Sequence, residues 1–119
     1  MKKSIVNEKS FQFAIRIVNL YKYLCEQRKE FVLSKQLLKS GNSIGANIRE
    51  GDHAESKLDF IHKFAIAQKE CNETIYWIEL LNASDYLSET EFKSIYEDAS
   101  ELMKLITSIL KTSKLTIHH

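Results

Sequence analysis

Two carboxylate–histidine pairs, Glu50-x-x-His53 and Asp59-x-x-His62, have the i, i+3 spacing with which helical bundles hold paired metal ions. Neither completes such a site. Gly51 is expected to end a helix inside the first pair. Asp59 falls in a first helical turn, where an acid already has a capping role, and the first and last helices offer no obvious inward carboxylates. No metal and no cofactor is expected. The other reactive patterns are equally incomplete. Gly41-x-x-x-Gly45 is not followed by the Lys-Ser/Thr of a phosphate loop, and no serine elbow or zinc-protease motif occurs. Cys25 and Cys71 match no metal or redox spacing and fall on apolar faces, where they read as buried free thiols. No residue is nominated as catalytic, and the chain reads as a non-enzyme.

Two polar sets remain. Ser43, Asn47, Glu50, Glu70 and Glu73 either line a site between two helices or bond one another, or Lys69 and Arg49, across a helix interface. Buried polar groups have to be paired in any case, which favours the second use. The other set is cationic. Lys35, Lys39, Asn42, Ala46 and Arg49 follow one another at spacings of four, three, four and three, so they share one helical face, and Arg16, Lys22 and Arg28 come from the helix before it. Such a face is either solvated or a phosphate-contacting surface for nucleic acid.

The charge distribution sharpens that choice. Net charge is only +1, but up to Arg49 ten basic residues face three acidic ones, and from Glu50 onward seven basic residues face thirteen acidic ones. The halves therefore carry +7 and −6. The basic half suits an anionic partner, and the two halves suit copies joined head to flank.

The elements that must position these residues are helices. The 119 residues include no proline and only three glycines, all between Gly41 and Gly51. One domain of this length buries roughly 65% of the surface its unfolded chain exposes. Helix formers dominate, and the periodicity predicts helices over about 9–27, 34–50, 56–84 and 88–112. Asn7 or Ser10 would cap the first, Ser56 with Asp59 the third, and Ser88 with Glu91 the fourth. Short connections between four helices imply an all-α, antiparallel up-down-up-down four-helix bundle spanning 1–119.

Gly41 and Gly45 are expected to admit a neighbouring helix backbone, with Gly51 as the stop. The first helix carries two apolar stripes, one through Phe11, Ala14, Ile15, Val18, Tyr21 and Cys25, the other through Phe13, Ile17, Leu20 and Leu24. The third carries a core line, Phe60, Phe64, Ala67, Cys71, Thr74, Ile78 and Leu81, and a second apolar set with Ile66, Trp77 and Leu80. That surplus predicts self-association, with Phe13, Ile17, Ile66, Trp77 and Leu80 as the interface between copies. No run approaches membrane-spanning length, so no membrane partner is expected and a cytoplasmic location is. Leu115 to His119 reads as a frayed end, and His118-His119 as either native or the stub of a tag.

The string Ser43-Ile44-Gly45-Ala46-Asn47-Ile48-Arg49-Glu50-Gly51, followed by Phe60-Ile61-His62-Lys63 and by Ala67-Gln68-Lys69-Glu70-Cys71-Asn72-Glu73-Thr74-Ile75-Tyr76-Trp77, resembles the bacterial four helix bundle proteins, also named 23S rRNA intervening-sequence proteins. The resemblance runs from about Phe11 to Leu110. It implies the bundle fold and carries over no catalytic residues. That family is in turn similar to the accessory protein of diversity-generating retroelements, a pentameric ring of four-helix bundles that binds nucleic acid and a reverse transcriptase. By resemblance the partners are other copies of the chain (as a pentamer), RNA or DNA, and a protein. The accessory protein is strongly basic and this chain is not. A homo-oligomeric protein scaffold without nucleic acid is the rival expectation.

Overall fold

A computed structural model describes residues 2–117, with side chains over 5–116. Its four helices are α1 (Lys2–Glu26), α2 (Leu33–Asp52), α3 (Lys57–Ala83) and α4 (Glu89–Ile117). The expected pair His118-His119 lies outside the described residues.

Cross-helix pairs set the directions. Gly41 packs on Ile17 and Gly45 on Ser10, so α1 and α2 run antiparallel. Ser40 meets Thr74 while Glu50 meets Lys63. Cys71 meets Ala99 while Gln68 meets Thr107. Lys9 meets Glu101 while Arg16 meets Asp98. Each helix therefore packs antiparallel on its chain neighbours, and α1 closes the ring against α4 through the thinnest of the four seams. The bundle measures 51 × 22 × 21 Å.

The α3 line Phe64, Ala67, Cys71, Thr74, Ile78 and Leu81 is wholly buried, and Phe60 stacks on Phe64 at its end with ring centroids 4.4 Å apart. Burial pushes the Cys71 thiol up to about 12, so it stays a neutral packing group that donates to the Ala99 carbonyl. Cys25 is a half-buried free thiol beside Ser34.

Several expectations are corrected. Helix α1 begins at Lys2, well before Asn7 or Ser10. Neither caps it, because nothing in the preceding residues breaks a helix and Val6 already needs burial there. Ser10 instead donates back to the Asn7 carbonyl, and the Asn7 amide donates to Asp52. Gly51 is not a stop: it is helical and buried, and a Cβ there would lie 2.8 Å from the Phe64 ring. Helix α2 runs on to Asp52, with His53 as its cap residue. Helix α4 continues through Leu115 to Ile117 instead of fraying.

The start of α2 uses a device no capping pattern announced. Val32, its N-cap residue, makes no side-chain cap bond. Glu30, 7% exposed, turns its carboxylate onto the open amides, accepting from Val32 N at 3.1 Å, Leu33 N at 2.9 Å and Ser34 N at 2.7 Å. The Ser34 hydroxyl closes the loop onto the Glu30 carbonyl at 2.8 Å. Lys29, at φ 55°, makes the bend that allows it. The starts of α3 and α4 follow the sequence signals. Ser56 accepts from Asp59 N, and Ser88 and Glu91 exchange bonds at 2.9 and 3.1 Å.

Candidate nucleic-acid interface

The outward line of α2 is intact in three dimensions. Lys35, Lys39, Ala46 and Arg49 are exposed and Asn42 is half-buried. At 1.5 Å per residue the line from Lys35 to Arg49 is about 21 Å long. Among the described residues Lys35 and Lys39 form no ion pair, and Lys22, also exposed, stands on the adjoining outer face of α1. Arg49 lies over the Phe11 ring, 5.8 Å from its centroid, beside an α1–α2 groove of about 440 Å³ floored by Ala14, Gly45 and Ala46.

Arg16 and Arg28 leave this set. Arg16 turns the other way, pairing with Asp98 at 2.6 Å and donating to the Ser94 carbonyl. Arg28 donates to the Asp85 and Tyr86 carbonyls, both at 2.9 Å, and stacks over the Tyr86 ring, so it ties the end of α1 to the α3–α4 turn. Their partners lie far off in sequence, so spacing alone could not separate them from Lys22.

The helix 1 interface residues are also corrected. Phe13 and Ile17, 3% and 0% exposed, are core residues of the chain's own bundle and cannot contact another copy. The stripe that faces out is the other one, with Phe11 52% and Ile15 41% exposed. On α3, Ile66, Trp77 and Leu80 are half-buried, and Tyr76 is exposed edge-on to Trp77.

The five polar residues do not converge. Ser43 donates to the Lys39 carbonyl and the Asn47 amide to the Ser43 carbonyl, both within α2. Glu73 accepts from the Trp77 indole within α3. Glu70 contributes its backbone carbonyl to Thr74. Glu50 alone crosses, pairing with Lys63 at 3.0 Å, and that bond raises the Lys63 pKa. Among the described residues no three His, Cys, Asp or Glu side chains gather as a metal site.

The buried polar contact between α2 and α3 belongs instead to Ser40 and Thr74, whose hydroxyls lie 2.9 Å apart with no exposure to speak of. Each also reaches a carbonyl of its own helix, Leu37 at 3.4 Å and Glu70 at 2.8 Å. The available signal was a pair of small hydroxyl residues at core spacing. Thr74→Val keeps the shape but leaves Ser40 with only its long bond to the Leu37 carbonyl, and is expected to cost about 1–2 kcal/mol in a urea titration. Adding Ser40→Ala should return most of it, because removing both partners of a buried bond is close to neutral. Additive losses would show that the hydroxyls do not interact.

Residues 2–108 match the profile of the 23S rRNA-intervening sequence proteins. The chain belongs to that family. A solved structure from Bacteroides thetaiotaomicron VPI-5482, a protein with unknown function from the S23 ribosomal protein family, is similar to it at 55% identity and a TM-score of 0.92. The likeness covers 93% of this chain and 99% of that one. No curated protein matches. Among the described residues, no helix of this family member is long and apolar enough to cross a membrane.

Proposed function

We propose that the protein is a non-enzymatic bundle that associates with copies of itself and binds RNA or DNA through phosphate contacts. The observation that carries the nucleic-acid part is the sorting of the basic residues. Arg16, Lys9 and Lys63 are paired with carboxylates, whereas Lys22, Lys35, Lys39 and Arg49 stay exposed along one outer edge of α1 and α2. Lysines on a helix face meet phosphates without reading bases, so binding is indifferent to sequence. A few contacts from one copy are weak, and an assembly that repeats them gains affinity when the ligand spans several copies. Self-association is supported by the exposed Phe11 and Ile15 beside the α1–α2 groove, a five-membered ring being the form the family resemblance implies. Those same side chains favour the second reading, a homo-oligomeric scaffold whose partner is a protein.

Fluorescence anisotropy with structured RNA and duplex DNA at low and moderate salt tests the first reading. Affinity should fall with salt by about 0.9 log units per log unit for each duplex phosphate contacted, and about 0.7 on single strands. Lys35→Glu with Lys39→Glu should abolish binding while circular dichroism and the mass from light scattering stay unchanged. No binding by the unsubstituted protein at low salt, or undiminished binding by the double variant, leaves the scaffold reading. A monomer mass at high micromolar concentration removes self-association from both.

A further inference from the structure

We propose that the α1–α2 turn is a stacking platform for unpaired bases, which makes single-stranded nucleic acid the preferred ligand of the basic edge. The inference rests on the nucleic-acid reading above and adds what that reading leaves open, the kind of strand bound.

Phe31 is 58% and Val32 72% exposed, side by side in a turn at one end of the bundle. An exposed phenylalanine at a loop tip loses apolar burial that the fold could have used. Lysines surround it along the chain: Lys29 two residues before, Lys35 four after, Lys39 one helical turn beyond Lys35, and Lys22 in the penultimate turn of α1. All four are exposed, and among the described residues none is in an ion pair. From Lys22 to Lys39 there are five cations against Glu26 and Glu30. Glu30 is turned inward and spent on the α2 amides.

That inward carboxylate has two effects on a ligand. It occupies the amide N–H groups that make a helix start attractive to phosphate, so phosphate recognition falls to the lysines instead. It also fixes the backbone after Phe31, because Val32 N is bonded to it, while the Lys29 bend and the bond from Glu30 N to the Leu24 carbonyl set the backbone before the ring. The ring is presented from a prearranged turn, which lowers the ordering cost of binding. An aromatic face flanked by unpaired cations is complementary to a base attached to a phosphate chain. A duplex hides its base faces in the stack except at its two ends, so along the length of a strand it is unpaired bases that can reach this ring.

The test is anisotropy with labelled single-stranded and blunt duplex oligonucleotides of one sequence, together with quenching of a 2-aminopurine base placed in the single strand. The protein should prefer the single strand about tenfold or more and should quench the reporter. Phe31→Ala should weaken single-strand binding about 5- to 150-fold, leave duplex binding unchanged and abolish the quenching, and Phe31→Tyr should restore both lost signals. Equal affinity for both forms, with Phe31→Ala silent, overturns the platform and leaves phosphate binding standing. Failure of both forms to bind overturns both. Loss of assembly mass in Phe31→Ala would assign the ring to a contact between copies, and preferential retention on phosphatidylserine vesicles would assign it to a lipid surface. Either result overturns the inference.

Discussion

Gly41→Leu is expected to lower the unfolding free energy by about 1–3 kcal/mol or more, while Gly45→Ala raises it by about 0.5–1 kcal/mol. The two glycines sit one turn apart on α2 and look equivalent in sequence. A Cβ at Gly41 would lie 2.8 and 2.9 Å from the Cγ2 and Cγ1 atoms of Ile17. That side chain is fully buried and β-branched, so its χ1 is held to one strongly preferred rotamer and it has little room to retreat. A Cβ at Gly45 would meet Ser10 at 3.5–3.7 Å, ordinary contact at the rim of an open groove. There the substitution only removes the entropic penalty of glycine in a helix. Urea midpoints of the two variants against the parent measure the contrast. Shifts of the same sign and size would show that α1 does not approach α2 through Gly41.

Glu30→Ala is expected to cost about 1–2 kcal/mol near neutral pH, because three amides of α2 lose a charged acceptor and the one at Ser34 is buried. The pH dependence carries a sign. Burial pushes the Glu30 carboxyl up, but the amides of Leu33, Ser34 and Val32 and the Ser34 side chain outweigh it and hold its pKa below the ordinary glutamate value. A lowered folded-state pKa means stability that is present above the unfolded value, about 4.3, and is lost as the pH falls through the folded one. The gap between the parent and Glu30→Gln should therefore be widest near neutrality and shrink in acid. Denaturant titrations across that range decide it, and a gap that did not change with pH would remove Glu30 from the role.

These two cases also show what was legible. Ser56 and Ser88 announced their helices because a cap acts on amides three residues away, which local sequence contains. Glu30 did not, because a carboxylate reaching forward onto Val32, Leu33 and Ser34 depends on Lys29 adopting a conformation usually left to glycine. Gly51 read as a stop since glycine often ends helices, but its reason is Phe64, on a different helix. Periodicity revealed both stripes of α1 without saying which faced inward. The choice is made by what α2 offers, a missing side chain at Gly41 that receives Ile17. In the candidate interface the outward line of α2 was readable because it lies within one helix. The removal of Arg16 was not, since Asp98 is 82 residues away.

The thin seam between α1 and α4 shapes how the chain folds. Among the described residues every extensive helix contact joins neighbours in sequence, and this seam joins the first helix to the last. Contacts that local form early, at little loop-closure cost, so the bundle belongs to the fast-folding class. Closure of α1 onto α4 is then expected to come last, guided by Lys9–Glu101 and Arg16–Asp98, both in reach of solvent ions. The same seam is expected to be the first to part in the native state. Amide protons at its edges should exchange through partial opening of the terminal helices, while those of the α2–α3 hairpin await global unfolding.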